Sequence, residues 1–467
     1  MLLILQVECN MRIYEKEFVD IFVLLLSAFS LLSCGSSEEE VYTPSPYAFI
    51  TSFSIDDIRS EYPAFTSDGK DTVVVKTVSM ETIAFTINQA TGEIYNNDSL
   101  LYATDVTKVV IRMSAQGVPA IYVDSTDTYS SFTLNDSIDF STPRKFRVYA
   151  GNGEYHKDYT ISINVHQVEP EMMVWAKYGA VEDVCPVRAL ERRDEMFLFG
   201  TDANGAAVVA VTGSDDAESW SCTAITGLPV EALETVAVFG GNFYAVYAGD
   251  VYSSADGVTW SVAATGTGAV AIIGVSDEAG ELWIAGEQGL LCSNDGVSFN
   301  VTGSLPADFP LYGVSVLSYP LNHNKGIIRY MLVGYTTEAK DGNVSVWSKL
   351  SSEDKWVCYD NADNSYPCPA LEGVAVVRYD GYLYALGGAG HVGGTEVGAF
   401  GSFYVSKDNG IVWKEKQSFY QRLPEELAVG SAPFAVAVDS KNYMWIIKTG
   451  ENGGVWKGII NRLGFNK

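Results

Sequence analysis

The sequence predicts an all-β protein in which an N-terminal β-sandwich is followed by a C-terminal six-bladed β-propeller. Residues 48–168 alternate apolar and polar side chains in short runs, which are separated by turn-forming Asp, Asn and Gly. This pattern is typical of short antiparallel strands. In residues 171–467 an apolar strand that closes on glycine recurs six times, and a second motif recurs behind it. Repetition at such a period predicts the blades of a propeller.

The composition excludes two classes of protein. Hydrophobic residues make up 47% of the 467 residues and charged residues 19%, so the chain is not intrinsically disordered. Asp and Glu number 58 against 30 Lys and Arg, which gives a net charge of −28. A field of that sign repels phosphate backbones, and we expect no nucleic-acid partner.

The N-terminal segment predicts export. Residues 21–32 form an apolar run of about 12 residues. A helix needs about 20 residues to span a bilayer, so this run is too short to do so and fits the core of a signal peptide. Leu31-Leu32-Ser33-Cys34 resembles the lipobox of bacterial lipoproteins, in which the cysteine is lipidated and becomes the new N-terminus. The resemblance implies a signal peptide over residues 1–33 and a lipid on Cys34. The start codon stays open between Met1 and Met11.

Residues 34–47 predict a tether. The acidic run that follows Cys34 resembles the export signal of surface lipoproteins of the Bacteroidota, and Pro44 and Pro46 favour extended chain. The resemblance implies an outer-membrane protein that is held to the membrane by its lipid and is exposed at the cell surface.

The sandwich prediction depends on strands within residues 48–168. Residues 72–77, 83–87 and 108–113 alternate as strands do, and residues 145–150 and 159–165 flank a Gly-Asn-Gly turn as a hairpin. The terminal hairpin resembles the immunoglobulin- or cadherin-like modules of bacterial surface lipoproteins. That resemblance implies a spacer without chemistry of its own.

The propeller prediction depends on two repeated motifs. The glycines that close the apolar strands are about 50 residues apart on average: Gly200, Gly249, Gly286, Gly334, Gly387 and Gly450. The second motif, best seen in residues 406–413, resembles the Asp-box S-x-D-x-G-x-T-W. Its aspartates are expected to bind the N–H groups of a turn and to be structural, not catalytic. They are Asp216, Asp256, Asp295, Asp354 and Asp408.

Two further features concern the ring. Leu386-Gly-Gly388, followed by Tyr404 and Trp413, resembles a kelch repeat. Residues 172–178 form a strand without a repeat of its own, and we expect it to complete the last blade and so remove the open sheet edges. Taken together, the chain resembles a Bacteroidota lipoprotein family of unknown function with a sandwich and a kelch/Asp-box propeller.

The sequence leaves three functions open: a binding module, a glycan-active enzyme and a structural envelope component. Sialidases share Asp-box blades, but they need three converging arginines and an Arg-Ile-Pro motif, and the nearest stretch here is Pro186-Val-Arg188. We predict no catalytic residue, no cofactor and no metal site, and we favour binding of a glycan or a surface protein. Whether Cys358 and Cys368 form a disulfide stays open.

The predicted binding face carries the long loops of blades four to six. The Asp-box turns occupy one face of a propeller, and these loops are expected on the opposite face: residues 335–343, 360–373, 388–401 and 417–430. Aromatic and charged side chains of these loops could stack on and bond to sugars. The candidates are Tyr335, Lys340, Tyr366, His391, Glu396, Tyr420 and Arg422.

Overall fold

The computed structural model describes residues 44–65, 71–340, 344–360, 363–416, 418–428, 433–450 and 452–464. The predicted signal peptide, Cys34 and most of the predicted tether lie outside the described residues. Contacts divide the chain into two units, one of residues up to Ile58 with Ser79–Asp98 and Val106–Asn164, the other of Arg59–Val78, Ser99–Asp105 and Val165–Lys467. In the described part of the chain, no helix has the length and apolar character needed to cross a bilayer.

The first unit contains two sheets. The three-stranded sheet has the order β1-β6-β9, with β1 (Phe49–Ile55), β6 (Val109–Gln116) and β9 (Ser137–Ile138). The six-stranded sheet has the order β4-β5-β11-β10-β7-β8, with β4 (Phe85–Asn88), β5 (Glu93–Asn96), β7 (Val118–Val123), β8 (Thr128–Ser130), β10 (Arg144–Tyr149) and β11 (His156–Ser162). Strands β10 and β11 pair antiparallel, which confirms the predicted terminal hairpin.

The core of the first unit joins strands of both sheets. Phe53 of β1 meets Phe85 of β4 edge to face, with ring centroids 4.9 Å apart. The buried Tyr159 hydroxyl of β11 accepts the N–H of Ile50 at 3.1 Å and donates to Gln89 Oε1 at 2.7 Å. A buried polar group is therefore satisfied inside an apolar cluster.

The second unit carries the repeat. Its strands up to the middle of the ring are β2 (Ile58–Phe65), β3 (Asp71–Val78), β12 (Met173–Tyr178), β13 (Cys185–Arg192), β14 (Glu195–Thr201), β15 (Ala207–Gly213), β16 (Ser221–Ala224), β17 (Ala237–Phe239), β18 (Asn242–Tyr247), β19 (Gly249–Ser254), β20 (Ser261–Ser276), β21 (Glu281–Gly286), β22 (Gly289–Ser293) and β23 (Asn300–Gly303). The remaining strands are β24 (Tyr312–Pro320), β25 (Ile328–Tyr335), β26 (Val344–Leu350), β27 (Val357–Cys358), β28 (Ala370–Leu371), β29 (Ala375–Tyr379), β30 (Tyr382–Leu386), β31 (Gly390–Val392), β32 (Thr395–Val397), β33 (Tyr404–Ser406), β34 (Lys414–Glu415), β35 (Phe434–Val438), β36 (Met444–Lys448) and β37 (Gly454–Ile460). Two 3-10 turns (Val230–Thr235 and Glu425–Ala428) and helix α1 (Asn461–Gly464) complete it.

Antiparallel sheets follow one another along this unit. Four of them have four strands, in the orders β13-β14-β15-β16, β24-β25-β26-β27, β29-β30-β33-β34 and β12-β37-β36-β35. Between the first two lies a seven-stranded sheet, β17 to β23, in which the 16-residue strand β20 pairs with β19 on one side and β21 on the other. Short sheets β2-β3 and β28-β31-β32 are added. The protein is all-β, with a β-propeller domain.

Strand β12 closes the ring. It pairs antiparallel with β37, from Met173 opposite Ile460 to Tyr178 opposite Val455, although some 280 residues separate the two strands along the chain. The expectation that residues 172–178 complete the final sheet is therefore confirmed. Arg462 of helix α1 lies next to this seam and binds Glu171 (Nε–Oε1, 2.6 Å) and Asp380 (Nη1–Oδ1, 2.7 Å).

Aspartates of the second motif bind the N–H groups of their own turns. Asp295 accepts the N–H groups of Val297 (2.9 Å) and Ser298 (2.7 Å) and the hydroxyl of Ser293 (2.9 Å). These donors hold the pKa of the Asp295 carboxyl well below its ordinary value. Asp216, Asp256 and Asp408 make equivalent bonds at 2.8–3.1 Å.

The turn at Asp354 differs from the other four. Its tryptophan, Trp356, has a buried indole N–H without a partner among the described residues, whereas the indole of Trp260 donates to Gly257 O at 2.9 Å. Trp356 follows its aspartate by two residues, whereas Trp260 and Trp220 follow theirs by four and donate to the carbonyls of Gly257 and Ala217, so the turn at Asp354 is two residues shorter. Cys358 and Cys368 are free thiols, so no disulfide joins them.

Candidate functional site

A cavity of about 590 Å³ lies at the centre of the propeller. One edge strand from each of four sheets forms its wall, together with the segments that precede these strands: β13, β24, β29 and β35. Along β35, Phe434, Val436 and Val438 are half-buried and alternate with the buried Ala435 and Ala437, because successive side chains of a strand point to opposite faces. The half-buried set packs against the hydrophobic cluster that includes Val377 and Tyr379, and its remaining exposed surface gives the cavity an apolar wall.

A β-bulge brings Arg188 to this wall. Pro186 pairs with Gly200 and Arg188 pairs with Phe199, so Val187 is an extra residue on β13. Such a bulge redirects the side chains next to it. Consecutive residues Val187 and Arg188 are both half-buried and both line the cavity, which a regular strand would not allow.

A second bulge receives the guanidinium. In β24 the register shifts between Tyr312 and Ser315, and Val314 lies in the shifted segment. Arg188 Nη1 donates to Val314 O at 3.1 Å, across 126 residues of sequence. Among the described residues, no other group forms a hydrogen bond with the Arg188 side chain. Burial lowers the pKa of Arg188, and the nearby Glu234 partly offsets that effect.

Three carboxylates and one ammonium group also line the cavity. Lys340 Nζ lies 2.7 Å and 2.9 Å from the two carboxylate oxygens of Glu234. Glu191 accepts the N–H of Ser440 at 2.8 Å and its hydroxyl at 2.7 Å. The third carboxylate belongs to Glu372, an exposed residue beside Gly388. The cavity thus combines apolar walls with a small set of charged groups, as ligand sites do.

Two of the seven candidate residues from the sequence line this cavity, Tyr335 and Lys340. Tyr335 is 3% exposed, and its hydroxyl donates to Leu371 O. Burial raises the pKa of Tyr335 to about 12. A tyrosine so enclosed forms part of the wall and has no free ring face on which a sugar could stack.

Tyr366 lies away from the cavity lining, beside an Asp-box turn. Its carbonyl accepts the N–H of Trp413 at 3.0 Å, and Lys414 Nζ lies 4.8 Å from its ring centroid. Asn364 Nδ2 donates to Ile411 O at 2.7 Å in the same turn. This part of the loop therefore packs on the Asp-box segment, contrary to the expectation that it lies on the opposite face.

The remaining four candidates lie in two places, His391 with Glu396 and Tyr420 with Arg422 two residues further along the chain. His391 and Glu396 face each other on strands β31 and β32, with Nε2 and Oε1 3.9 Å apart and both side chains exposed. Tyr420 accepts the N–H of Met173 through its carbonyl at 2.7 Å, and Arg422 Nη2 lies 2.8 Å from Asp71 Oδ1. Neither pair belongs to the cavity lining.

Four charged residues of the cavity lining were not among the candidates from the sequence: Arg188, Glu191, Glu234 and Glu372. One signal was available for Arg188, which is a cation within the otherwise apolar run Pro186–Leu190. Its position in the cavity depends on the two bulges, and a repeat pattern does not predict bulges. The described residues contain no group of three or more His, Cys, Asp or Glu side chains arranged to hold a metal ion.

Solved structures resemble the fold at low identity. A GH74 enzyme of Niastella koreensis is 15% identical over 58% of this chain and 45% of its own, with a TM-score of 0.37. The chain thus spans less than half of that enzyme. An α-L-arabinanase of Penicillium chrysogenum is 11% identical over 62% of this chain and 97% of its own, also with a TM-score of 0.37. Such similarity carries no inference about activity. No curated protein matches the chain.

Family models account for both parts of the sequence. Residues 52–163 match the N-terminal domain of a domain of unknown function, DUF6242, and residues 169–467 match the DUF6242 beta propeller domain. The second match alone covers more than half of the chain. The protein is therefore a member of the DUF6242 family, whose C-terminal domain is a β-propeller of unknown function.

Proposed function

We propose that this protein is a lipid-anchored binding protein of the cell surface and that the central cavity of its propeller binds a glycan. The observation that carries the proposal is the cavity itself. Its volume of about 590 Å³ falls within the range of about 300–1,000 Å³ that small-molecule sites occupy. Its lining supplies apolar contact from β35 and hydrogen-bonding groups from Arg188, Glu234 and Glu372, the mixture that the CH and OH faces of a sugar require.

The anchor and the location follow from the lipobox resemblance at Cys34. We propose an outer-membrane lipoprotein with its folded domains outside the cell. In a bacterial host that processes lipoproteins, labelled palmitate should be incorporated into the wild-type protein and be absent from Cys34→Ala. Protease added to intact cells should digest the wild-type protein. Absence of label from the wild type would refute the anchor, and full protease protection would refute surface exposure.

We further propose six blades for the propeller and a sandwich for the first unit. The blade count treats the seven-stranded sheet as two blades that share β20, a strand of 16 residues where the mean strand has about 5–6. The two sheets of the first unit and the Phe53–Phe85 contact between them support the sandwich. A crystal structure of the mature protein, with the blades counted, tests both.

The glycan proposal is tested by blocking the cavity. The mature protein is applied to an array of bacterial, plant and host glycans together with Val436→Trp, which enlarges a lining side chain of β35. Val262→Trp is the matched control, because Val262 is 47% exposed on β20 and is not a lining residue. We expect retention by the wild type and by Val262→Trp and its loss in Val436→Trp. Retention by a folded Val436→Trp protein would contradict the proposal.

The same incubation separates the alternatives that the sequence left open. Release of sugar into solution by the wild type, but not by Val436→Trp, would show turnover and replace binding by catalysis. If the wild type neither binds a glycan on the array nor releases sugar, the glycan proposal is refuted. That result would favour a protein partner or a structural role in the envelope.

A further inference from the structure

The charges around the cavity narrow the class of glycan. We infer that the bound saccharide carries an oxyanion group, a carboxylate or a sulfate, and that Arg188 is the residue that binds it. This inference rests on the proposed function, since it concerns the same cavity. Three observations support it. Arg188 has N–H donors that no described residue accepts, the carboxylate of Glu234 is bound by Lys340, and the cavity beside the guanidinium is large enough for a sugar.

The guanidinium of Arg188 has donors to spare. An arginine side chain presents five N–H groups in a rigid fork that matches an oxyanion in a bidentate manner. In the described residues one of these groups is used, Nη1, on Val314 O. That bond fixes the fork in the cavity, because Val314 O belongs to the bulged segment of β24. The other donors are then held ready for a ligand at little cost in side-chain entropy.

In the described part of the chain, no carboxylate of the lining forms an ion pair with Arg188. Glu234 is the acidic residue that acts on the pKa of Arg188, but both of its oxygens are bound by Lys340 at 2.7 Å and 2.9 Å. Both oxygens of Glu191 are bound by Ser440, which fixes that carboxylate on a partner other than Arg188 but leaves its negative charge in place. A cation inside the ring of blades without a dedicated counter-ion favours an anionic ligand, because burial strengthens the Coulomb attraction.

The space beside Arg188 favours a saccharide over a bare anion. A cavity of about 590 Å³ exceeds one inorganic ion many times over. Its apolar wall includes Val187, Val314 and Val436, which can cover the CH face of a sugar ring. The exposed carboxylate of Glu372 can accept hydroxyl groups. Together these groups suit a ring that has one anionic substituent and several hydroxyls.

A matched set of disaccharides tests the inference. Cellobiose, its 6-sulfate and its C6-oxidised uronic acid differ at one carbon only, and titration calorimetry gives the affinity of each. The proteins are the wild type, Arg188→Gln, Arg188→Lys and the control Lys325→Gln, which removes an exposed cation outside the lining. Circular dichroism establishes that each variant is folded.

We expect the wild type to bind at least one acidic disaccharide on the order of tenfold or more tightly than cellobiose, the scale of a charge-assisted hydrogen bond. Arg188→Gln should abolish this preference and keep the affinity for cellobiose. Arg188→Lys should retain part of the preference, and Lys325→Gln all of it. The affinities for the 6-sulfate and for the uronic acid show which oxyanion is preferred.

The outcomes separate this inference from the proposed function. Equal affinity of the wild type for neutral and acidic sugars overturns the oxyanion inference and leaves the glycan site standing. A preference that persists in Arg188→Gln overturns the role of Arg188. If Arg188→Gln does not fold, the inference is tested on the wild type alone. Its preference for an acidic disaccharide over cellobiose should then weaken as the salt concentration rises. Binding of none of the sugars by the wild type refutes both.

Discussion

Lys340 Nζ bonds to both carboxylate oxygens of Glu234, at 2.7 Å and 2.9 Å, and these two residues are 106 positions apart in the sequence. Their side chains are 37% and 51% exposed. An ion pair with that exposure contributes only about 0–1 kcal/mol to stability. Its larger effect is electrostatic, because it engages the carboxylate that would otherwise neutralise Arg188.

Removing either partner of this pair should change ligand affinity in opposite directions. Lys340→Met releases Glu234 to attract Arg188, and we expect affinity for an acidic disaccharide to fall roughly threefold to tenfold. Glu234→Gln removes the competing carboxylate and should raise the affinity by a similar factor. Calorimetric titration measures both. Changes of the same sign in the two variants would show that the pair acts as structure and not through charge.

The seam between β12 and β37 should dominate the stability of the propeller. Met173 is 6% exposed and packs in a cluster with Tyr379, Leu427 and Ile460, whereas its neighbour Val174 is 47% exposed. Met173→Ala should cost about 2–4 kcal/mol, as large-to-small changes in cores do, and Val174→Ala less than about 0.5 kcal/mol. Urea unfolding followed by tryptophan fluorescence compares them. Equal losses would mean that the seam is not part of the core.

The C-terminal arginine should stabilise the same closure. Arg462 bonds to Glu171 at 2.6 Å and to Asp380 at 2.7 Å, and these partners raise the pKa of the guanidinium. Arg462→Ala removes the arginine donor from both carboxylates, of which Glu171 keeps Gln421 as a donor, and should cost about 1–2 kcal/mol, with the side chain's partial exposure taken into account. Lys325→Ala, in an exposed turn, serves as control. A melting temperature unchanged by Arg462→Ala would contradict this account.

The Asp-box of Asp295 should make stability depend on acid pH. Bonds from Val297, Ser298 and Ser293 lower the pKa of Asp295 in the folded state. A group with a lowered folded pKa stabilises the fold above its unfolded pKa, about 3.9, and loses that contribution as pH falls towards the folded value. Asp295→Asn should therefore lower the melting temperature at pH 7, and by progressively less below pH 4. A difference that stays constant down to pH 2 would refute this explanation.

The repeat in the sequence predicts the propeller because its second strands are enclosed on both faces. Phe197–Gly200 falls in β14, Leu282–Gly286 in β21 and Met331–Gly334 in β25, each a nearly continuous buried run. Burial on both sides removes the polar alternation and leaves an apolar stretch that is easy to recognise. The seam was predictable for a related reason, since an unpaired strand at one end of a ring needs a partner at the other.

The site was less predictable because it depends on registers. Arg188 faces the cavity through the extra residue Val187, and its acceptor Val314 lies in a second bulge. Neither shift has a marker in the local sequence. The loop that contains Tyr366 was placed from connectivity alone, but its backbone bonds to Trp413 and so stays beside the Asp-box turn. Loop length indicates where ligand contacts are frequent, while tertiary hydrogen bonds decide where each side chain lies.

The most direct test of the central claim observes the guanidinium of Arg188 itself. In protein labelled with ¹⁵N-arginine, the side-chain Nε–H resonance of Arg188 is assigned from its absence in Arg188→Lys, and the acidic disaccharide that binds most tightly is titrated in. We predict that this resonance shifts more than that of any other arginine, with a midpoint equal to the calorimetric Kd. An Arg188 resonance that stays in place while the ligand binds would contradict the account.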